Sequence, residues 1–514
     1  MMNFVSLLDQ QARTRPEKPA LRADGQDWSY AALAEASHRA AAVLCAQGVR
    51  PGDRVGLLCF NTPGFVFALF GAWRLGAAVV PINHKLQPPE VAYILRHSGT
   101  RLCIVDGTRA SLITAIRDAP PPAAELRWLS TASAAEGVGF FDELLTQAAP
   151  CSDGPAHPAP ETLAEILYTS GTTGRPKGCL HSHANVFHAA LCTAAATSLS
   201  HRERTLIAMP IWHSSPLNNW FLGTLLMGGT AVLMREYAPR EFLETLERER
   251  ISFTFGAPIA FLAPLTVVPD VAGYDFSAIR LWTYGGGPLG AEMVRRLCKA
   301  YRSDRFMQVY GMTESGPLGS MLYPEEALTK PGSIGRSAIP GVELELRRQD
   351  GSPCGPDEVG EICLRSAAMM QGYLDSPEAT AAVLDHQGWY HSGDLARRDA
   401  DGYLYIVDRL KDMIVTGGEN VYSKEVEDLL CTHPDVQEVA VIGRPHPEWG
   451  ETVVAVLTLK PGTLLDQQAL REFMAPQLAR YKIPRIFEVR DTLPRTATGK
   501  LLKHLLRTEA PASP

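Results

Sequence analysis

The stretch "ILYTSGTTGRPKGCLHSH", residues 166–183, decides how the rest of the chain is read. A short run, Ile166 to Tyr168, leads into six consecutive small hydroxyl or glycine residues, Thr169 to Gly174, and a lysine follows at Lys177. Backbone N–H groups, side-chain hydroxyls and an ammonium charge can converge on an anion, so the stretch reads as a phosphate-binding loop. It is not the triphosphatase loop G-x-x-x-x-G-K-[ST]. Pro176 precedes Lys177 and Gly178 follows it, which leaves neither a Gly-Lys pair nor a magnesium-binding hydroxyl at the required place. Pro176 also disfavours helix at Arg175.

Outward from this loop, helix and strand signals alternate. "SYAALAEASHRAAAVLCAQGV" spaces its apolar residues as a helix does and stops at Gly48, a good C-cap. "DRVGLLCF" then predicts a strand, "PGFVFALFGAWRLG" a helix and "AAVVPI" a strand, the rhythm of a parallel sheet with crossover helices. The Arg74 interruption makes "FVFALFGAWRLGAAVVPI" a core helix and buried strand, not a membrane span. Proline-rich connections occupy residues 118–160, and nothing repeats at a fixed period. After "DGYLYIVDRLKDMIVTGGENV" a fresh pattern begins: a helix "SKEVEDLLCTH", strands "EVAVIG" and "TVVAVLTL", and a helix "DQQALREFMAPQL". The expected fold class is α/β, with a large N-terminal domain of sheets and crossover helices over residues 1–409 and a small α+β domain over 410–514.

Composition narrows the functional classes. Of 514 residues, 46% are hydrophobic and 20% charged, as in a soluble globular protein, and the net charge of -7 argues against a nucleic-acid partner. The N-terminal residues mix Asp9, Gln11 and Arg13 among apolar ones, unlike a secretory signal. The ten cysteines are scattered singly, with no CxxC pair and no zinc spacing, which predicts free thiols in a reducing cytoplasm. A second glycine cluster, "LWTYGGGPLGAEMVRRLCKAY", matches G-x-G-x-x-G through Gly285, Gly287 and Gly290. It brings an NAD(P)-dependent oxidoreductase into view. Against that reading, Pro288 stiffens the turn and Gly290 stands where a helix cap belongs.

Six ordered motifs decide the matter: "YTSGTTGRPKG", "YGGGPL" (284–289), "YGMTE" (310–314), "WYHSGDLA" (389–396), "DRLKDMIVTGGENVYSKEVE" (408–427) and "PRTATGK" (494–500). Together they resemble the adenylate-forming superfamily, and within it the free-standing acyl-CoA synthetases. The resemblance implies a large ATP- and acid-binding domain and a small mobile lid carrying a catalytic lysine. It implies ATP, Mg²⁺ and coenzyme A as co-substrates and cofactor. Thr169, Ser170, Gly171, Thr172, Thr173, Gly174 and Lys177 would grip the β- and γ-phosphates. Thr313 would contact the α-phosphate, Glu314 would hold Mg²⁺, and Gly286, Gly287 and Tyr310 would frame adenine. Asp394 and Arg409 would bind the ribose, and Lys500 would bridge the attacking carboxylate and the α-phosphate. Lys411 matches the pivot between adenylation and thioester-forming states. Gly417 and Gly418 would line the pantetheine channel, with Trp449 on the coenzyme A adenine and Lys85, Arg480 and Lys482 near its phosphates.

For the acid, the resemblance points to Trp212, His213, Leu217, Phe221, Phe255, Trp282 and Met312 as the pocket, with Asn218 and Asn219 leaving room for a polar tail. Amino-acid-activating relatives place an Asp within the stretch "WHSSPLNNWF", which here has His213 and no carboxylate, and acetate-activating ones a Trp in the "YGMTE" region, where Met312 sits instead. A medium or long aliphatic acid is expected, with an aryl acid as the alternative. Fourteen residues follow Lys500, too few for a fused carrier domain. Coenzyme A is the expected acceptor, with a separate acyl carrier protein still open, as is a homodimer; no integral membrane association is expected. A non-catalytic nucleotide sensor is disfavoured by the intact Lys500, Asp394 and Arg409.

Overall fold

The computed structural model describes residues 3–118, 126–149, 157–169, 176–287, 289–416, 419–495 and 501–508. It divides into two compact units, residues 1–344 with 364–390 and residues 345–363 with 391–514. Among the described residues no helix is long and apolar enough to cross a membrane.

The strand–helix–strand rhythm builds two sheets in the first unit. One has eight strands in the order Gly372–Tyr373, Lys177–Ser182, Leu163–Thr169, Ala78–Pro81, Arg54–Leu58, Leu102–Asp106, Arg127–Thr131 and Gly139–Phe140. The other has nine, in the order Ser337–Ala338, Ser320–Leu322, Phe306–Tyr310, Leu281–Gly285, Phe253–Gly256, Arg204–Ile207, Thr230–Leu233, Pro19–Ala23 and Gln26–Ser29. From Phe306–Tyr310 through Pro19–Ala23 that sheet is parallel throughout. The α/β class expected from the sequence is the class observed.

Local chemistry explains the elements that carry these sheets. The helix Tyr30–Ala46 opens where Ser29 Oγ accepts from Ala32 N at 3.2 Å, and the chain leaves it through Gly48 at φ +89°. The next helix, Pro63–Arg74, is buried from Gly64 onward, and Ala78–Pro81 is buried along its whole length. Gly71 lets the two helices meet closely, because a Cβ there would stand 2.6 Å from that of Ala40. Arg74, which breaks the apolar run, is buried but satisfied: its Nε donates to Ser37 Oγ at 2.7 Å and its Nη1 to Asp9 Oδ2 at 3.1 Å.

The second unit is built on smaller sheets. Four strands, Val342–Arg347, Val359–Ser366, Tyr390–Arg398 and Leu404–Arg409, lie side by side in that order, and residues 345–363 and 391–409 of them belong to this unit. A second sheet orders Glu419–Val421, Ile414–Thr416, Gly450–Leu459 and Val436–His446, with Ile486–Val489 running parallel to Gly450–Leu459. The helices Ser423–Leu430 and Gln467–Met474 cover it through Val426, Leu430, Leu470 and Met474. Asp466 caps the latter, accepting from Gln468 N and Ala469 N at 3.0 Å each.

Candidate functional site

The opening stretch folds as two antiparallel strands, Leu163–Thr169 and Lys177–Ser182, in which Thr169 stands opposite Lys177. The element after the stretch is thus an antiparallel strand, not a helix. Ser170, Gly171, Thr172, Thr173 and Gly174 lie outside the described residues, as do Gly417, Gly418 and Lys500. Lys177 Nζ lies 4.9 Å above the centre of the Tyr373 ring, a cation–π contact. Tyr373 in turn donates from its hydroxyl to Glu314 Oε1 at 2.9 Å. Burial, reinforced by the Glu314 charge, pushes the Tyr373 phenol upward, so it stays a proton donor to that carboxylate; Tyr390 is displaced in the same direction for the same two reasons.

Thr313 and Glu314 sit on a 3₁₀ turn, Thr313–Ser315, just past the strand Phe306–Tyr310. Gly316 closes the turn at φ +76°, where a Cβ would lie 2.3 Å from the Ala368 carbonyl oxygen, so only glycine fits. Thr313 Oγ1 and Ser214 Oγ are 3.1 Å apart, and Met370 N donates to the Glu314 carbonyl at 2.9 Å. His181 beneath this turn is buried, which lowers it to about 4 and leaves it neutral against the Thr313 and Ala368 backbones. Gly286 and Gly287 follow the strand Leu281–Gly285, and Tyr310 ends the neighbouring parallel strand. All three thus stand at carboxyl ends of parallel strands, where open α/β sheets bind ligands. Gly286 adopts φ +83°, and Gly290 is the N-cap of the helix Ala291–Ala300, the plain role that competes with a dinucleotide fingerprint.

The acid-pocket candidates divide. The rings of Trp212 and His213 lie with centres 3.8 Å apart, tilted by 36°, and Trp212 Nε1 donates to His84 Nδ1 at 3.2 Å. His213 exposes ring surface yet has protein closely around it, and desolvation lowers it to about 4. Met312 and Phe255 are half-buried, while Leu217 and Phe221 are wholly buried on the π-helical turn Ser215–Phe221. Trp282 is not brought together with the others. Thr254 pairs with Trp282, and Phe255 with Thr283, so strand alternation puts Phe255 and Trp282 on opposite faces of the sheet. Phe255 stacks on Trp220 at 5.2 Å, whereas Trp282 stacks on Phe306 at 5.5 Å inside a cluster with Phe261, Phe276 and Tyr301. Trp282 is a core residue.

The amide nitrogens of Asn218 and Asn219 also donate internally, while both buried amide oxygens have no hydrogen-bond partner among the described residues. Asn218 Nδ2 donates to Glu165 Oε1 at 2.6 Å, and Asn219 Nδ2 to the Pro317 carbonyl at 3.1 Å. Glu165, fully buried on the strand Leu163–Thr169, was missed by sequence reasoning; a carboxylate inside "LAEILYT" was its signal. Burial raises it to about 7, against the opposing pull of the Asn218 hydrogen bond.

In the second unit, Asp394 and Arg409 are cross-strand partners, with Arg409 Nε 3.0 Å from Asp394 Oδ1. The strand residue before Asp394 is held across the sheet: Gly393 N donates to Glu361 Oε1 at 2.8 Å, with Gly393 at φ +69°. Lys411 is exposed in a turn where Asp412 N and Met413 N both donate to the Arg409 carbonyl. Beyond it, Asp408 accepts from Ser423, and Lys503 Nζ reaches Ser423 Oγ at 2.6 Å and Glu427 Oε1 at 2.7 Å. Burial raises both Asp408 and Glu427, and the Lys503 charge opposes this in each. Trp449 is exposed with the Arg485 guanidinium 4.3 Å over its ring. Arg480 is exposed on the turn Arg480–Lys482, and Lys482 Nζ is paired with Glu425 at 2.8 Å. In the first unit, Lys85 lies 3.6 Å from Glu236.

Comparison with known proteins gives this arrangement a context. Residues 8–374 match the family described as AMP-binding enzyme, and residues 425–500 the AMP-binding enzyme C-terminal domain. The chain is 38% identical to a feruloyl-CoA synthase of an Amycolatopsis species over 501 residues, covering 96% of each. It is 36% identical to a long-chain-fatty-acid–CoA ligase of Mycobacterium tuberculosis over 517 residues, 100% of this chain and 99% of the relative. Its fold is similar to that of o-succinylbenzoate coenzyme A synthetase from Bacillus subtilis. The complex with ATP and magnesium ion superposes with TM-score 0.85 at 31% identity over 97% and 98% of the two chains. The complex with the acyl-adenylate intermediate gives 0.86 at 30% identity over 99% of each.

Proposed function

This chain belongs to the AMP-binding enzyme family, and on that premise we propose that it activates a medium or long aliphatic carboxylic acid for transfer to coenzyme A. It is an AMP-forming acid–CoA ligase that uses ATP, Mg²⁺ and coenzyme A. A carboxylate is a poor electrophile. One of its oxygens attacks the α-phosphorus of ATP, pyrophosphate leaves, and the mixed anhydride acyl-AMP results. The thiol sulfur then attacks the acyl carbon, giving up its proton, and AMP departs with the bonding electrons. The protein's task is to hold the phosphates and stabilise charge as it gathers at the α-phosphate.

The observation that carries this reading is the linked set Lys177–Tyr373–Glu314 beside Thr313. It gathers a cation, a hydroxyl and a hard carboxylate within the unit that bears the phosphate hairpin. In this assignment Thr169, the residues Ser170 to Gly174 and Lys177 hold the β- and γ-phosphates, and Thr313 the α-phosphate. Glu314, an oxygen donor already fixed by Tyr373, suits Mg²⁺, which when bound neutralises phosphate charge. Gly286, Gly287 and Tyr310 frame the adenine, and Asp394 with Arg409 takes the ribose hydroxyls. Lys500 bridges the carboxylate and the α-phosphate, and Lys411 is the pivot of a C-terminal lid. Gly417, Gly418, Trp449, Lys85 and Arg480 are assigned to coenzyme A; Lys482 would have to leave Glu425 to join them.

An aliphatic acid is favoured by a wall without a free charge. Met312 is apolar and adaptable, His213 is neutral near pH 7, and the Asn218 and Asn219 donors are engaged elsewhere. The close, tilted Trp212–His213 ring pair favours a second reading, an aryl acid, which the feruloyl-CoA synthase relative also supports. The test is release of pyrophosphate and AMP from ATP across short, medium, long, branched and aryl acids, with and without coenzyme A. Thioester formation that peaks with medium or long chains is expected. A maximum with aryl acids would replace the aliphatic reading. Acyl-AMP that coenzyme A does not discharge would transfer the acceptor role to a carrier protein.

A further inference from the structure

The second unit contains a cluster of metal-ligating side chains that the ligase chemistry does not use. Glu361 and Cys363 lie two residues apart on the strand Val359–Ser366 and so share one face of it. His391 lies on the adjacent strand, Tyr390–Arg398. His391 Nδ1 is 2.9 Å from Glu361 Oε2 and 3.6 Å from Cys363 Sγ, and the three donor atoms all fall within 4.8 Å of one another. Tetrahedral zinc, with bonds of about 2.0–2.3 Å, needs neighbouring donor atoms about 3.3–3.6 Å apart. The Sγ–Nδ1 separation meets that requirement as it stands, and the Nδ1–Oε2 pair needs to open only slightly.

We propose that Glu361, Cys363 and His391 form a binding site for a borderline divalent transition-metal ion, zinc foremost, with solvent as the fourth ligand. The donor set selects against Mg²⁺ and Ca²⁺, which prefer oxygen, and for Zn²⁺ or Co²⁺, which accept thiolate and imidazole. Cys363 is fully buried, whereas His391 and Glu361 are partly exposed, so an ion approaches from their side and meets the sulfur at the floor. Capture expels the Sγ proton and leaves the imidazole proton on Nε2. Glu361 is oriented for the task, because its other oxygen already accepts from Gly393 N. A bound ion thereby braces the strand that carries Asp394.

Titrating metal-free full-length protein with Co²⁺ tests the site. One equivalent should give tetrahedral d–d absorption together with a thiolate-to-cobalt charge-transfer band, both displaced by Zn²⁺. The charge-transfer band should vanish in Cys363→Ser, and the apparent Kd should rise at least tenfold in His391→Gln and in Glu361→Gln, where the amide oxygen can still accept from Gly393. Zinc should raise the melting temperature of the wild type and not of His391→Gln. Absence of the band in the wild type, or its survival in Cys363→Ser, overturns the proposal. Should Cys363→Ser fail to fold, an unchanged Co²⁺ affinity in His391→Gln, altered at a partly exposed position, overturns it equally.

Discussion

The two units are held together in different ways. In the first, Trp73, Phe65, Phe70, Tyr30 and Phe221 are almost completely buried within one apolar cluster, and a misplaced charge such as Arg74 is matched on the spot. The second has a smaller apolar core of valines, leucines, Met474 and Phe487, and ties its elements with buried or half-buried charges: Asp408 to Ser423, Lys503 to Glu427, Arg507 to Asp412 at 2.9 Å, and Arg444 to Glu488. Apolar burial depends little on pH, whereas paired charges depend on it directly. The comparison teaches that the hairpin Leu163–Ser182 stands on a mainly apolar support, in which Glu165 and His181 are the titratable exceptions, and that the stability of the C-terminal unit is open to adjustment by pH.

The largest break in that contrast should come from Trp73→Ala. Trp73 is fully buried, packs against Phe4, Phe70 and His183, and donates from Nε1 to the Ala164 carbonyl at 2.8 Å, one residue before Glu165. Its removal should cost about 3–5 kcal/mol, measured by urea denaturation, with little dependence on pH. A cost below about 1 kcal/mol would mean that this cluster is not the support described.

Lys503→Met probes the opposite case. It strands the Glu427 and Asp408 carboxylates, both already raised by burial, and Lys503 is the charge that opposes the rise in each. Their folded pKa values should climb further above the unfolded ones. The folded variant then holds protons that the unfolded chain has lost, so its stability falls as pH rises from the ordinary carboxylate range through the raised values. The loss should be about 2–3 kcal/mol at pH 8 and much less near pH 4, since one partner of a largely buried pair is removed and the site is partly wet. A pH-independent loss would contradict the electrostatic account.

Glu165→Gln is the subtlest test, because it concerns a titrating exception inside the mainly apolar unit. The folded pKa of about 7 lies above the ordinary 4.5, so the contribution of Glu165 is fully present below 4.5 and lost as pH rises through 7. The wild type should lose up to about 3 kcal/mol relative to Glu165→Gln across that interval, at about 1.4 kcal/mol per pKa unit. Parallel stability profiles would show that Glu165 stays ionised in the fold.

Much of this was legible in the sequence, and the exceptions share a cause. Ser29 and Gly48 punctuate a helix, and the alternation of "DRVGLLCF" with "PGFVFALFGAWRLG" predicts the parallel sheet, because caps and periodicity act locally. Which face of a strand a residue takes relative to its neighbour is not local. The stretch "LWTYGGG" identifies a strand, but the pairing of Thr254 with Trp282 is what sends that indole into the core. The Glu361–Cys363–His391 cluster escaped for the same reason. Its ligands lie on two strands 28 residues apart, where no cysteine spacing registers them. Asn218 looked like a pocket polar group, and only the fold brings it to Glu165.

The central claim is that one chain runs two half-reactions and that Lys500 serves only the first. The direct measurement is to follow both in Lys500→Ala: acyl-AMP formation from acid and ATP, and thioester formation from supplied acyl-AMP and coenzyme A. Adenylation should fall by about 10²–10³-fold or more, the scale for losing a group that stabilises transition-state charge, while thioester formation stays near the wild-type rate. Equal losses in both half-reactions would contradict the account.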